Sequence, residues 1–305
     1  MATINKLKGG IMPASLTVWN ADGSFNRKGQ EKYWQWLLDN GATGLSVCGS
    51  TGENMAMDPD EQKEIIKAAC EFVDHEVPLY AGTGKYSTDQ TIAMSKYARD
   101  CGADGVMVIN PYYFTPCKRT VMNHFREVHK NLDIDILIYN NPWFAGYELN
   151  AREIKTLVDE GVISSMKAAH GDSNRCADLK YECGNDLVVM YGHDYEPVQG
   201  LVAGADGWLS GLPAAFPKFC RALYDAVKID KDYVKAMEIW QKMIPFMNYF
   251  YTYKTNDPHW LEIFKYVVEC QGLKEIGLAR RPLGEIAPEE KKEIEKTLAP
   301  LSEYL

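Results

Sequence analysis

The sequence predicts an α/β protein built as a (β/α)8 TIM barrel with a C-terminal helical extension. Short apolar runs alternate with amphipathic helical stretches, and the runs recur about every 20 to 33 residues, the spacing of β-α units. Runs that are apolar on both faces indicate a parallel sheet, and eight such units can close into a barrel. A doubly wound open sheet is the alternative. The predicted strands begin near Gly10, Gly44, Val77, Gly105, Asp135, Ile163, Leu187 and Gly207.

A repeated motif marks the junctions between helices and strands. Gly-Ala-x-Gly followed by an apolar run occurs three times, as GATGLSVCGS (41–50), GADGVMVINP (102–111) and GADGWLSGL (204–212). A glycine just past a helix can take the left-handed conformation that ends the helix. The motif therefore predicts that a helix ends, and a buried strand starts, at each of these places.

Two helix starts carry capping signals. Asp58, Pro59 and Glu61 combine an N-cap, a proline in the first turn and a capping-box acid. Ser87 and Gln90 make a second capping box. Helices are therefore predicted to start after Asp58 and after Ser87, between successive strands.

The chain is predicted to divide into a barrel and a helical tail. Residues 1–228 form the (β/α)8 catalytic domain in this prediction, and residues 229–305 are helical. Breaks are expected at Asn256 to Pro258 and at Arg281 to Leu283. The tail is expected to pack on the barrel or on a neighbouring subunit.

Composition excludes several functional classes. The 305 residues carry a net charge of -9 without a Lys/Arg cluster, so neither nucleic acid nor an anionic membrane is an expected partner. With neither a secretory signal pattern nor a long apolar span, we expect a cytoplasmic protein. The eight cysteines contain no Cys-x-x-Cys pair, which predicts reduced core thiols instead of disulfides or a zinc site.

Polar residues fall where the predicted strands end. In a barrel the loops at the carboxyl ends of the strands form one mouth, so these residues are expected to converge there. They are Ser50, Thr51 and Glu53; Tyr112 and Tyr113; Tyr139, Asn140 and Asn141; Lys167; His193 and Asp194; and Ser210.

Lys167 is the strongest catalytic candidate. It follows the apolar residues Val162, Ile163 and Met166 at the end of the sixth predicted strand. Burial disfavours the charged ammonium, so a desolvated lysine can supply a neutral amine that attacks a carbonyl and forms a Schiff base. A lysine that extends out of the rim to water is the alternative that position alone leaves open.

Other residues at the predicted mouth suit the same chemistry. Tyr139 ends the adjacent strand, and a phenol near an amine-carbonyl adduct can shuttle protons, although a core tyrosine fits the position too. Ser50 and Thr51 offer hydroxyls in the glycine-containing turn GSTGE, which could hold a carboxylate. Trp143 and Phe144 suit either a core or an apolar substrate wall.

Two weaker signals do not support a phosphate or a metal site. GTGKYS (82–87) has the wrong glycine spacing for a phosphate loop, and Tyr86 stands where Ser or Thr would follow the lysine. His193 and Asp194 could bind a metal, but the other histidines show no ligand spacing on one helix. We expect no metal.

Six motifs together resemble the dihydrodipicolinate synthase and N-acetylneuraminate lyase family. The resemblance runs from about residue 6 to RRPLGEI (280–286) and keeps the order and spacing of the family's motifs. The motifs are GSTGE (49–53), NPYY (110–113), YNNP (139–142), KAAHGD (167–172), GHD (192–194) and GADGWLSG (204–211).

The resemblance implies a class I aldolase-type barrel that assembles as a homotetramer or dimer. In such a barrel Lys167 would form a Schiff base with pyruvate or another 2-keto acid, and Tyr139 would shuttle protons. Ser50 and Thr51 would bind the keto-acid carboxylate. Thr51 would also link Tyr139 to Tyr113, which in the family reaches in from a neighbouring subunit. The resemblance also implies that the backbone at Leu209 lines the pyruvate pocket, and that no cofactor is needed because the iminium is the electron sink.

Two departures from the family bear on the second substrate. Dihydrodipicolinate synthases place an arginine two residues after the YNxP proline, where this chain has Phe144, and an aromatic ring cannot replace that guanidinium. Sialic acid lyases carry an acid where Tyr195 stands, whereas Glu196 comes one place later. The set Trp143, Phe144 and Trp208 favours a less polar second substrate.

We therefore expect a Schiff-base-forming lyase or aldolase that acts on pyruvate or a related 2-keto acid, with a second substrate other than aspartate semialdehyde. The alternatives are a 4-hydroxy-tetrahydrodipicolinate synthase despite the missing arginine, a sugar-acid dehydratase, and a keto-acid binding protein that has lost turnover.

Overall fold

The computed structural model describes residues 7–252 and 257–305 and confirms the barrel. Eight parallel strands form one sheet in the order β1-β8-β7-β6-β5-β4-β3-β2. The sheet closes where Ala14 bridges Ser46 in parallel and the Ser15 N–H donates to the Ser46 carbonyl at 2.8 Å. The strands are β1 (Gly10–Pro13), β2 (Leu45–Val47), β3 (Leu79–Gly82), β4 (Gly105–Ile109), β5 (Asp135–Asn140), β6 (Ser165–Ala168), β7 (Val188–Tyr191) and β8 (Gly207–Ser210).

Helices connect the strands and cover the outer face of the sheet. In chain order they are α1 (Arg27–Asp39), α2 (Pro59–Val73), α3 (Thr88–Cys101), α4 (Lys118–Lys130), α5 (Pro142–Ala145), α6 (Ala151–Asp159), α7 (Asn174–Cys183), α8 (Pro197–Val202), α9 (Leu212–Ala215), α10 (Pro217–Tyr224), α11 (Tyr233–Met247), α12 (Trp260–Cys270) and α13 (Pro288–Leu298). A π-helical turn follows α10 at Asp225–Ile229 and another follows α11 at Asn248–Thr252.

The predicted junction and capping signals have structural counterparts. The first glycine of each repeat is left-handed, with φ of +102° at Gly41, +102° at Gly102 and +117° at Gly204. At α2 the full capping box of Asp58 and Glu61 is present. At α3 the Ser87 hydroxyl accepts from the Gln90 N–H at 3.5 Å, which is one half of the predicted box. Local chemistry thus sets these element ends.

Successive residues of each strand face two different apolar cores, because side chains alternate across a strand. Inside the barrel lies a cluster that includes Met12, Leu137, Met190 and Leu209. On β6, Met166 and Ala168 belong to the second core, between strands and helices. Lys167 lies between them in sequence and so points into the barrel.

The C-terminal helices make specific contacts with the barrel within this single chain. Lys265 of α12 donates to the Thr17 carbonyl at 2.8 Å, and Gln271 donates to the Ala215 carbonyl at 2.7 Å. The predicted break at Asn256 begins outside the described residues, and the break at Arg281 lies between α12 and α13. The division into 1–228 and 229–305 stays a prediction. Within the described ranges, no helix is long and apolar enough to cross a membrane.

Candidate active site

Lys167 and Tyr139 lie side by side at the carboxyl ends of the strands. They are register partners on β6 and β5, so their side chains point the same way. Lys167 Nζ lies 4.1 Å from the centroid of the Tyr139 ring. Lys167 is 4% exposed and Tyr139 is 7% exposed. The amine and the phenol therefore share the interior of the barrel mouth, and Lys167 does not extend out to water.

Gly192 makes room for the Lys167 side chain. A Cβ atom at Gly192 would lie 2.7 Å from Lys167 Cγ and 3.0 Å from the Cβ of Ala169. Carbon atoms in favourable contact are about 3.5 to 4.0 Å apart, so only glycine leaves the lysine stem undisturbed. Gly192 lies within the GHD motif, but the motif alone did not predict this role.

Asp194 interacts electrostatically with Lys167, but its carboxylate is hydrogen-bonded to other groups. Its Oδ1 accepts from the Ser210 hydroxyl and, at 3.0 Å, from the Leu212 N–H. Burial raises the pKa of Asp194, while these hydrogen bonds and the charges of His193 and Lys167 lower it. Among the residues that the structure describes, no carboxylate oxygen lies within the 4.0 Å ion-pair distance of Lys167 Nζ.

Asn141 orients the Tyr139 phenol. Asn141 Nδ2 donates to the Tyr139 hydroxyl at 2.8 Å, and Asn141 Oδ1 caps α5 by accepting from the N–H groups of Trp143 at 3.0 Å and Phe144 at 3.2 Å. The capping bonds fix which end of the amide faces the phenol. The bond from Asn141 uses an oxygen lone pair, so the phenol keeps its proton for another partner.

Ser50 and Thr51 lie in a tight loop directly after β2. The Gly52 N–H donates to the Gly49 carbonyl, and the Glu53 N–H donates to the Ser50 carbonyl, both at 3.0 Å. Thr51 is 6% exposed, and Ser50 is half-buried. In the described part of the chain, the hydroxyl of Thr51 forms no hydrogen bond with Tyr139, whose oxygen is bonded by Asn141 instead. The predicted Thr51 relay therefore stays a prediction.

Tyr113 stands apart from the buried residues. It is 87% exposed on the loop after β4, with φ of +77°. Its ring makes an edge contact with Phe114 at a centroid distance of 5.1 Å, and Phe114 makes another with Tyr86 at 6.0 Å. These three aromatic side chains form an exposed cluster beside the mouth. A role for Tyr113 in a neighbouring subunit's site stays a prediction.

An aromatic wall borders the mouth on the side of α5, and we define it as Trp143, Phe144, His193, Tyr195 and Tyr251. Trp143 is 73% exposed and Phe144 50% exposed. The His193 and Tyr251 rings stack at 5.8 Å, and Tyr195 meets Tyr251 edge-on at 5.5 Å. Trp143 and His193 both lie next to Gly171: a Cβ atom added to Gly171 would lie 3.6 Å from Trp143 Cζ2 and 3.6 Å from His193 Nε2. The wall therefore combines residues of the two segments that follow β5 and β7 with one residue of the C-terminal region.

Tyr251 was missed by the sequence analysis. It follows α11, well beyond the last strand, so only the tertiary path of the C-terminal region brings it to the mouth. Burial raises the pKa of Tyr251 well above its usual value, and Asp194 and Tyr191 raise it further. The phenol end of Tyr251 therefore lies near Asp194.

The placement of Trp208 requires a correction, whereas Leu209 faces the barrel interior. Trp208 was predicted to be one of the aromatic residues that favour a less polar second substrate. The structure buries it completely in the core between strands and helices, where its indole N–H donates to the His193 carbonyl at 3.2 Å. The next residue, Leu209, belongs to the core inside the barrel. Trp208 therefore supports the His193 loop and cannot contact a substrate at the mouth.

A separate cavity of about 280 Å³ lies between α6 and α7. It is lined by Glu148, His170, Arg175 and Glu182, among others, and by none of the predicted site residues. Elsewhere too, within residues 7–252 and 257–305, no group of three or more His, Cys, Asp or Glu side chains could hold a metal ion.

Comparison with known proteins assigns the chain to a family. Residues 7–301 match the Dihydrodipicolinate synthetase family. The chain belongs to this family. A 4-hydroxy-tetrahydrodipicolinate synthase from Methanococcus maripaludis is 30% identical over 290 residues, which are 95% of this chain and 97% of that relative. Dihydrodipicolinate synthetase family members are lyases of the class I aldolase type, and this chain is a lyase of that type.

Solved structures agree with the family assignment. YagE, a prophage protein of the dihydrodipicolinic acid synthase family from E. coli K12 in complex with pyruvate, superposes with a TM-score of 0.87 at 26% identity, covering 97% of this chain and 99% of that one. A chloride-inhibited dihydrodipicolinate synthase from Acinetobacter baumannii complexed with pyruvate gives a TM-score of 0.88 at 26% identity and the same coverages of 97% and 99%.

Proposed function

We propose that this lyase works through a Schiff base between Lys167 and pyruvate or a related 2-keto acid. The observation that carries the proposal is the buried Lys167 amine, 4.1 Å from the Tyr139 ring centroid and outside any ion pair with the described carboxylates. An amine held beside a phenol and outside an ion pair is placed to attack a carbonyl carbon. Two similar proteins were solved with pyruvate bound, which favours pyruvate as the keto acid.

In this proposal the Lys167 nitrogen attacks C2 of the keto acid and forms a carbinolamine. The Tyr139 phenol protonates the departing hydroxyl, so water leaves and an iminium remains. In a cleavage, the C4 hydroxyl loses its proton, the bond between C3 and C4 breaks, and its electron pair passes to the iminium, which gives an enamine and releases a carbonyl product. In a dehydration, loss of a proton from C3 gives the enamine, which then expels hydroxide from C4 and leaves a conjugated iminium. Protonation of the enamine and attack by water on the new iminium then return the free lysine. Ser50 and Thr51 hold the keto-acid carboxylate throughout.

The aromatic wall supports an aromatic or otherwise apolar second substrate. Trp143 and Phe144 are exposed on α5, and Tyr251 stacks on His193. An aromatic ring binds apolar groups better than it binds a carboxylate. A sugar-acid dehydratase is a weaker alternative, in which Asp194 would bind a hydroxyl of the substrate. In the described part of the chain, Asp194 Oδ1 accepts from both the Ser210 hydroxyl and the Leu212 N–H, and Oδ2 could accept from a substrate hydroxyl.

One observation favours a second candidate, a 4-hydroxy-tetrahydrodipicolinate synthase. The Methanococcus maripaludis relative that carries this name aligns over nearly the whole chain. The candidate requires a cation for the carboxylate of aspartate semialdehyde, and Phe144 occupies the position where the family's synthases have arginine. We therefore rank it second.

Borohydride reduction tests the Schiff base. Incubation with pyruvate and borohydride should attach one reduced pyruvate to Lys167, located by peptide mass spectrometry, while Lys167→Ala should gain nothing. A folded wild-type protein that forms no adduct but still binds pyruvate would instead support a keto-acid binding protein. Release of pyruvate from aromatic aldol adducts and from sugar acids, and condensation with aspartate semialdehyde, then separate the three candidate reactions.

We also propose that the chain forms a homo-oligomer, a tetramer or a dimer, that uses the exposed cluster of Tyr86, Tyr113 and Phe114. Solvent exposure of three aromatic rings in contact supports an interface there. Sedimentation would give the subunit number, and Phe114→Ser should reduce it. The cytoplasmic location stays a prediction.

A further inference from the structure

The loop that carries Ser50 and Thr51 ends in a buried carboxylate, Glu53. The side chain of Glu53 is 3% exposed. Its Oε1 accepts from the Trp19 indole N–H at 3.0 Å, and its Oε2 accepts from the Arg280 backbone N–H at 2.7 Å. A buried carboxylate is tolerated only when hydrogen bonds and an opposite charge compensate for lost hydration.

Lys265 of α12 supplies that opposite charge. Its Nζ lies 3.1 Å from Glu53 Oε1 and donates to the carbonyls of Thr17 and Leu278, both at 2.8 Å. These three partners satisfy all three ammonium hydrogens. Burial lowers the pKa of Lys265, whereas the charge and hydrogen bond of Glu53 raise it. The pair therefore joins the C-terminal region to the barrel in a dry place.

The same contacts constrain the backbone of the loop. Glu53 has a left-handed backbone with φ of +63°, which a residue with a side chain adopts only when its surroundings hold it there. Thr17, whose carbonyl binds Lys265, also donates from its hydroxyl to the Gly52 carbonyl at 2.7 Å. Lys265 thus holds Glu53 directly and Gly52 through Thr17, and these two residues follow Thr51.

We propose that Lys265 is a positioning residue for substrate binding: through Glu53 and Thr17 it fixes the loop so that the hydroxyls of Ser50 and Thr51 meet the keto-acid carboxylate. The inference rests on the proposed function, which assigns the carboxylate to this loop. Without the ammonium, the Glu53 carboxylate keeps a buried charge that it relieves by moving toward water. The strained backbone then moves with it.

The test measures the pyruvate concentration that half-saturates borohydride trapping at Lys167. Lys265→Met keeps the length and apolar character of the side chain but removes the charge. It should raise that concentration about tenfold or more, the effect of weakening one or two hydrogen bonds to a charged group. The trapping rate at saturating pyruvate should change little, because Lys167 and Tyr139 are untouched.

A second variant separates positioning from simple loss of packing. Adding Glu53→Gln to Lys265→Met removes the unpaired charge but leaves one amide oxygen to accept from the two N–H groups of Trp19 and Arg280. The half-saturating concentration should therefore return only part of the way toward the wild-type value, by roughly threefold, a coupling expected of groups in contact. Loss of α12 packing alone would leave the double variant as weak as the single one, and that result would overturn the proposal.

Lys180→Met is the matched control. Lys180 also binds a carboxylate, that of Asp206 at 2.6 Å, and a carbonyl, that of Leu187 at 2.8 Å, but at the amino ends of the strands. Its variant should lose thermal stability without any change in half-saturation by pyruvate. An unchanged value for Lys265→Met would refute the positioning role, whereas absence of trapping in the wild type would refute the proposed function itself.

Discussion

Gly192→Ala should impair catalysis by displacing the Lys167 side chain. The new Cβ would lie 2.7 Å from Lys167 Cγ, so the lysine stem must retreat by about 1 Å to regain an ordinary carbon contact. The opposite side offers little relief, because the same Cβ meets the Ala169 Cβ at 3.0 Å and the Ala168 carbonyl oxygen at 3.1 Å. Overpacking of this kind destabilises by about 1 to 3 kcal/mol.

The effect on activity should exceed the effect on stability. A misplacement of about 1 Å at a reacting group can lower the rate about 100-fold. We expect the trapping rate at saturating pyruvate to fall on that scale, with the fold retained by circular dichroism and the melting temperature lowered by several degrees. Gly284→Ala is the control, because nothing lies within 4 Å of its new Cβ. If Gly192→Ala is trapped at the same rate as the wild type, Lys167 is not the confined nucleophile proposed here.

Three further predictions follow from the contacts around the mouth and in the core. Asn141→Asp keeps the cap on α5 but loses the N–H donated to Tyr139. Its kcat should therefore fall about fivefold to tenfold at unchanged melting temperature. A variant with the same kcat as the wild type would contradict the role of Asn141. Phe144→Arg should raise condensation with aspartate semialdehyde about tenfold through a charge-assisted contact, and no gain would contradict placing Phe144 on the second-substrate wall. Burial lowers the pKa of His124 and of His170 to about 4. Below pH 6.5 the unfolded chain therefore binds more protons than the folded chain does. The free energy of unfolding should drop by about 2 kcal/mol per histidine from pH 7 to pH 5. Urea titrations of His124→Gln should show a smaller drop in the free energy of unfolding between pH 7 and pH 5 than the wild type shows. An equal drop in the two proteins would contradict this cause.

The barrel and its central pair could be predicted because they depend on short-range patterns. Strands predicted to start at Gly10, Gly105, Asp135 and Gly207 start there, and the other four start within two residues of the prediction. A polar residue at the end of an apolar strand must face the mouth in a closed barrel. That rule was enough to bring Lys167 and Tyr139 together.

Other features could not be predicted because they depend on which way a side chain faces or on distant chain segments. Trp208 and Leu209 are both apolar, so alternation along β8 cannot tell which one points into the barrel. Tyr251 reaches the mouth only through the packing of α11. The role of Gly192 depends on the path of the Lys167 stem, and the contact of Lys265 with Glu53 joins residues 212 positions apart in the sequence.

A crystal soaked with pyruvate tests the central claim most directly. We expect continuous electron density from Lys167 Nζ to C2 of the keto acid, with the carboxylate bonded to Ser50 and Thr51 and the Tyr139 hydroxyl near the new nitrogen-carbon bond. Pyruvate bound elsewhere, or bound at the mouth without a covalent link to Lys167, would contradict the account.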